Sequence, residues 1–312
     1  MIFVTDAAGA TALDTAAIAA GTPSRALMQR AGAAAATEIG LRLSDRLAAG
    51  VAVFTGSGNN GGDGWVVARA LHAAGVHVRV IEIAEPRTDD ARAERALAIA
   101  DGVTHGMDAT HGANATEAVI VDALLGTGLS ASEPLRGAIG DAVRVLHAHR
   151  ARGATIVSID IPSGLDASSG RDAGAVQCAL TLTFGSVKRG QLMARGLCGQ
   201  IVALDIGLAA TASHGRHVLA TPAWFAETVP PIAADAHKGT RGKVAILGGA
   251  DGMGGAVALA ARGALRSGAG MVKCIVANGS LAMIRERDDA VLTGAWPECD
   301  AEFVDTAAWG GG

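Results

Sequence analysis

The sequence predicts an α/β fold: a doubly wound parallel sheet with helices on both faces, making a three-layer αβα sandwich. Two observations carry this. Short apolar runs rich in Val and Ile end repeatedly at Gly, Asp or Pro, and Ala-rich stretches of helical length lie between them. The runs at 51–54, 76–83, 119–121, 155–160, 180–184 and 201–205 lack the alternation of a half-solvated sheet, as strands covered on both faces do. The stretches 65–74, 90–100 and 136–151 have helical spacing, so strand and helix alternate along the chain. A longer helical stretch, 13–47, precedes the first strand and is free to pack across the sheet or against a partner.

The rhythm breaks after Asp205. Residues 207–217 are small and polar, and Pro222, Pro230 and Pro231 follow, which sets a boundary near residue 222 and domains of 1–222 and 223–312. A new strand at 244–247, a glycine-rich turn at 248–255, a helix at 256–267 and a strand at 271–276 come next. The pattern weakens after Asn278. The second domain is therefore expected to hold one βαβ unit, too little sheet to stand alone.

Composition excludes several classes. Half of the 312 residues are hydrophobic, enough for a sizeable core, and the formal net charge is −4, against a nucleic-acid-binding face. Four Lys stand against 22 Arg in an Ala- and Gly-rich chain, a pattern of GC-rich codons rather than of an arginine-rich surface. Tyr is absent and aromatics are 3%, so platforms for stacking bases are not expected. No apolar run reaches the roughly 18 residues of a membrane span, and the first residues lack the basic and apolar regions of a signal peptide. Cys178, Cys198, Cys274 and Cys299 lie far apart without a CxxC pair, as reduced thiols in a cytoplasmic protein do. His147 and His149 are expected to face solvent on a helix rather than to bind metal.

Three segments carry chemistry. Gly56-Ser57-Gly58-Asn59-Asn60-Gly61-Gly62-Asp63-Gly64 follows a strand and is predicted to form a glycine turn before a helix at Trp65. Backbone N–H groups at a helix N-terminus suit a nucleotide's phosphates. An ordinary NAD-oxidoreductase fingerprint, GxGxxG with a ribose-binding acid about 20 residues on, is expected to fit this segment badly. Asp122 ends the next strand and is followed by Gly126, Thr127, Gly128 and Leu129; Asp160 ends another and is followed by Pro162, Ser163 and Gly164. Carboxylates at strand ends stand where doubly wound folds bind ligands. Asp, Asn and Ser oxygens together suit a hard, oxygen-preferring cation, and the absence of imidazole and thiolate disfavours zinc, copper and iron. One carboxylate is free to hold such a cation while another transfers protons.

Together with 24–32 and 183–188, these segments resemble the N-terminal YjeF domain, the NAD(P)H-hydrate epimerase family, over about residues 5–208. The resemblance implies a Rossmann-like fold and epimerisation of the R and S forms of hydrated NADH or NADPH (NADHX, NADPHX) at C6 of the nicotinamide ring. It implies substrate contacts from Asn59, Asn60, Gly61, Gly62 and Asp63, from Gly126, Thr127, Gly128, Leu129, Ser130, Ala131 and Ser132, and from Asp160, which is the expected catalytic acid/base. It also implies one potassium ion held by Asn60, Asp122 and Ser163, and a possible homodimer; nucleic-acid and membrane partners are not expected. The motifs His237-Lys238-Gly239, Gly248-Gly249 and Gly254-Gly255-Ala256 resemble the start of the ADP-dependent NAD(P)H-hydrate dehydratase, a ribokinase-like fold, in which Ala256 matches a hydrate-contacting position. The late glycine-rich segment of that family does not follow Met271. The expectation is thus a partial ribokinase-like α/β segment without dehydratase activity, ADP and Mg2+ mattering only to a complete domain. A bifunctional repair enzyme and a non-catalytic YjeF-type binding module are the alternatives.

Overall fold

A computed structural model describes residues 2–107, 116–129, 133–208 and 217–296. The chain forms two compact units that divide between Trp224 and Phe225. The first is built on seven parallel strands in the order β4-β3-β2-β5-β6-β7-β9. These are β2 (Val51–Thr55), β3 (Val78–Glu82), β4 (Thr104–Met107), β5 (Val119–Ala123), β6 (Thr155–Ile159), β7 (Leu180–Phe184) and β9 (Gln200–Leu204). Each predicted apolar run is one of them, and β4 is an addition. The strands are buried on both faces, which explains why their sequences do not alternate. Val51 and Val53 of β2 point into one core with Ile39, Trp65 and Leu71, while Ala52 and Phe54 point into the other with Val143 and Leu146.

The helical stretch 13–47 is two helices, α1 (Ala7–Ala19) and α2 (Ser24–Arg42), parted at Gly21, whose φ is +101°, and at Pro23, which cannot continue a helix. Helices α2, α3 (Asn59–Ala73) and α4 (Asp89–Ala100) cover one face of the sheet, and Gly137–Ala151 covers the other. Ala31, Gly32, Ala35 and Ala36 give α2 a small-residue face, and a Cβ on Gly32 would run into the Val66 side chain of α3. A second small sheet joins β1 (Ile2–Thr5) to β8 (Ser186–Lys188) in parallel and to β10 (His217–Leu219) antiparallel. These three- and four-residue strands leave no readable pattern in the sequence.

The second unit holds β11 (Lys243–Leu247), helix Gly255–Arg266, β12 (Met271–Ala277), helix Leu281–Arg287 and β13 (Val291–Trp296). The three strands pair in parallel, so one helix and one strand extend the single βαβ unit that was expected. Among the described residues no helix is long and apolar enough to cross a membrane. Cys178, Cys198 and Cys274 are free and buried; burial pushes the thiols of Cys198 and Cys274 up to about 11. Cys299 lies outside the described residues. His149 does not face solvent. It shares a helix face with Leu146, is buried edge-on against Phe54 and meets Arg152 through Nδ1 at 2.9 Å.

The junction between β2 and β5 is the tightest point of the sheet. The Gly56 N–H donates to the Ala123 carbonyl at 3.1 Å, and a Cβ on Gly56 would lie inside the Leu124 carbonyl. Because the obstacle is backbone, it cannot rotate away. Gly56→Ala is expected to destabilise the first unit by about 2 kcal/mol or more, read as a lower urea midpoint. An unchanged midpoint would contradict this packing.

Candidate active site

The strand order reverses between β2 and β5, the place where an open α/β sheet forms a crevice at its carboxyl edge. Helix α3 starts in that crevice at Asn59, not at Trp65, so Gly61, Gly62 and Gly64 of the predicted turn lie in its first two turns, while Gly56 and Gly58 precede it. They bring the helix onto the strand ends. A Cβ on Gly61 would strike the Gly56 carbonyl, one on Gly62 would stand 2.6 Å from Met28 Sδ, and one on Gly64 2.6 Å from Ala123 Cβ. Gly61 and Gly62 are therefore packing residues, whereas Asn59, Asn60 and Asp63 line the adjoining cavity of about 640 Å³. Gly58 offers no side-chain cap, so the first-turn N–H groups of α3 keep their capacity to bind an anion.

Asp160 stands at the end of β6, on the same cavity. It is the one described non-glycine residue with a positive φ, +62°. Such a conformation costs of order 1–3 kcal/mol and persists only where the surroundings over-determine it. Here they do. Its N–H donates to the Leu182 carbonyl at 2.8 Å, and its carbonyl accepts from Gln191 Nε2 at 2.7 Å. Oδ1 accepts from the Lys188 ammonium, from the Phe184 N–H at 3.3 Å and from Thr183 Oγ1 at 3.4 Å. Lys188 is 2% exposed and also donates to Thr183 Oγ1 at 2.9 Å and to the Phe184 carbonyl at 3.2 Å. Sequence reasoning gave Lys188 and Gln191 no role. One signal was present: Lys188 is one of only four lysines in a chain that otherwise uses arginine.

Three further carboxyls line the cavity, Asp63 of α3, Asp14 of α1 and Asp90 of α4. Burial pushes the Asp63 carboxyl well above the usual range; the charges of Asp160 and Asp14 add to this and Lys188 opposes it. Asp14 is also raised, first by burial, with Lys188 lowering and Asp160 raising it. Its side chain is open to solvent at the cavity mouth, where water screens these interactions. Sequence reasoning missed Asp14, which lies on a helix read only as packing.

Asn60, Asp122 and Ser163 converge on one short segment. Asn60 Nδ2 donates to the Leu125 carbonyl at 2.9 Å, while Asn60 Oδ1 is buried without a partner. The Leu125 N–H donates to Ser163 Oγ at 2.9 Å. Asp122 is fully buried and accepts from Ser163 Oγ at 2.6 Å, from the Ser163 N–H at 2.8 Å and from the Leu124 N–H at 3.3 Å. Burial raises the Asp122 carboxyl, and the hydrogen bonds from Ser163 and Leu124 pull it down. A buried orphan amide oxygen beside a buried carboxylate and a hydroxyl fits a hard cation.

The profile of a family described as "YjeF-related protein N-terminus" matches residues 24–190, more than half of the chain. The chain belongs to this family. Curated relatives include proteins named "Bifunctional NAD(P)H-hydrate repair enzyme Nnr". That of Moorella thermoacetica is 34% identical over 298 residues, covering 89% of this chain and 55% of the relative. That of Escherichia coli is 36% identical over 240 residues, covering 74% and 45%. The chain spans about half the length of the curated relatives it matches. A crystal structure of yeast ynu0 superimposes with a TM-score of 0.57 at 22% identity, over 65% of this chain and 87% of the yeast chain, and so shares the fold.

The remaining expected contacts divide. Gly126, Thr127 and Gly128 line the cavity. Leu129 is not among the lining residues, and Ser130, Ala131 and Ser132 lie outside the described residues. Ala256 belongs to the second unit, in the first turn of Gly255–Arg266. Glu82, at the end of β3 where dinucleotide enzymes place a ribose-binding acid, is 1% exposed and held by Arg95 at 2.7 and 2.9 Å. Gly56, Gly58 and Gly61 do have the GxGxxG spacing and Glu82 follows Gly61 by 21 residues, but the Arg95 pairing already bonds this carboxylate within the protein and does not leave it free for a ribose hydroxyl.

Asp63 makes stability depend on pH. Its folded pKa lies above the ordinary 3.8, so above that value the folded state holds a proton that the unfolded chain releases. Each step up in pH towards the folded pKa then costs stability. Asp63→Asn removes this penalty. The variant should melt higher than the wild type at neutral pH, with the gain shrinking towards pH 4 or so. An equal gain at both pH values would contradict the assigned burial.

Proposed function

We propose that the chain is an NAD(P)H-hydrate epimerase that interconverts the R and S forms of NADHX and NADPHX at C6. The observation that carries this is the strained Asp160, clamped by Lys188 on a cavity that also receives the N-terminus of α3. Hydrate repair in the relatives' names supports the choice of substrate. C6 of the hydrated ring bears a hydroxyl next to the ring nitrogen. The nitrogen lone pair expels that oxygen once it is protonated, and water returns to either face. Asp160 gives or takes the proton at the C6 oxygen, and Lys188 fixes the carboxyl where that oxygen sits. The open N–H groups at Asn59 and Asn60 bind the diphosphate, and Gly126, Thr127 and Gly128 border the nucleotide.

The cation reading is part of the proposal. Asn60, Asp122 and Ser163 would hold one potassium ion, and the orphan Asn60 Oδ1 is the feature that supports it. The ion would supply a fixed positive charge that ties the α3, β5 and β6 ends together.

Asp160→Asn keeps shape and most hydrogen bonds but loses the titratable proton. Epimerisation should fall by about 100-fold while the substrate still binds, measured as conversion of one purified epimer beside a binding titration. Wild-type turnover would remove Asp160 from the mechanism. Asp122→Ala should abolish activation by potassium and weaken substrate binding; a wild-type enzyme indifferent to monovalent cations after exhaustive dialysis would overturn the metal assignment.

A further inference from the structure

We propose that Asp14 is a second proton-transfer group of this site, serving the ring face that Asp160 does not. The inference rests on the epimerase reading. Inversion at C6 takes oxygen off one face and returns it to the other, and each passage moves a proton at that oxygen. Asp160 cannot follow from face to face. Its backbone is held at φ +62° by Leu182 and Gln191, and its carboxyl is held by Lys188.

The other ionisable side chains lining the cavity are Asp14, Asp63, Asp90 and Lys188. Lys188 is committed to Asp160, Thr183 and Phe184, and Asp90 accepts from the Ser24 hydroxyl. Asp63 sits in the first turns of α3, beside the N–H groups assigned to the diphosphate, and is left to that end of the ligand. Asp14 remains. Among the described residues it has no hydrogen bond or ion pair. Its helical neighbours are already engaged: Thr11 Oγ1 donates to the Ala7 carbonyl at 3.1 Å and Thr15 Oγ1 to the Thr11 carbonyl at 2.8 Å.

Helix α1 holds Asp14 firmly. Leu13 and Ala17 bury its inner face. Asp6 caps it through the Gly9 N–H at 2.8 Å, and the Ala7 N–H donates to Ser168 Oγ at 3.0 Å. The preceding strand, β1, pairs with β8 so that Thr5 lies opposite Lys188. The element carrying Asp14 is thus bonded to the strand that carries the Asp160 clamp. The family profile begins at residue 24, so this wall lies before the matched segment.

The chemistry balances. Protonated Asp14 gives its proton to the C6 oxygen. The C6–O bond breaks with both electrons on oxygen, water leaves, and the ring nitrogen's lone pair forms the N1=C6 bond. Water then adds from the other face with its own electron pair, N1 recovers its pair, and the Asp160 carboxylate takes the released proton. The opposite epimer uses the two groups in exchanged roles. Asp14, being open to solvent, regains its proton by exchange with water, and Asp160 gives up the proton it took to water in the cavity before the next passage in the same direction.

The test compares wild type, Asp14→Asn, Asp14→Ser and Asp14→Glu, converting each single epimer of hydrated NADH in both directions. The Asn and Ser variants should keep KM within about threefold and lose about 100-fold in kcat both ways. Asp14→Glu should recover about a tenth or more of the activity, and thermal midpoints should stay at the wild-type value. Near-normal kcat in the Asn or Ser variant, or a loss confined to KM, would overturn the role of Asp14 and leave the epimerase reading intact. Absence of conversion by wild type would overturn both.

Discussion

The site depends on one backbone constraint. Asp160 leaves strand β6 in a left-handed conformation that only glycine adopts without cost, and a ring of partners keeps it there. Lys188 binds its carboxylate, Gln191 its carbonyl and Leu182 its N–H. These partners come from β7, β8 and the helix Arg189–Met193, so neighbouring elements fix one carboxyl. Without the twist, Asp160 would continue the alternation of β6 onto the sheet face that carries Ile156. With it, the carboxyl turns to the cavity. A buried lysine neutralises it in place, which avoids the cost of an unpaired charge.

The other half of the site comes from close packing at the strand-order reversal. Gly56, Gly61 and Gly64 let α3 press its N-terminus onto β2 and β5, leaving Asn59, Asn60 and Asp63 as the residues that reach the cavity. The same packing buries Asn60 beside Asp122 and Ser163 and leaves its amide oxygen without a protein partner. Tight backbone approach thus produces both a phosphate-type helix terminus and a set of oxygens suited to a cation.

The sheet was legible because strands buried on both faces write continuous apolar runs, and six of its seven strands are those runs. The short strands β1, β4, β8 and β10 were not, since three or four residues set no pattern. The start of α3 was misread because glycine signals a turn more often than a helix packed too closely for side chains. Asp122, Asp160 and Ser163 could be picked out because strand ends and turns follow them. Lys188 fell within the 183–188 motif but gained no role because its partner lies 28 residues away in the chain, and Asp14 was missed because α1 is brought to the cavity by tertiary contacts such as the β1–β8 pairing. His149 was misplaced because a histidine in the stretch His147-Ala148-His149-Arg150 gives no sign that its helix face carries Leu146 into the core.

The account's central claim is that this cavity inverts C6 of a hydrated nicotinamide. The most direct measurement mixes the purified chain with one epimer of hydrated NADH, in potassium buffer, and follows the other epimer by chromatography. The account predicts that the second epimer appears far faster than in the protein-free control and that the mixture reaches the same ratio from either side. A rate no greater than the control's, with folded protein and bound substrate, would contradict it.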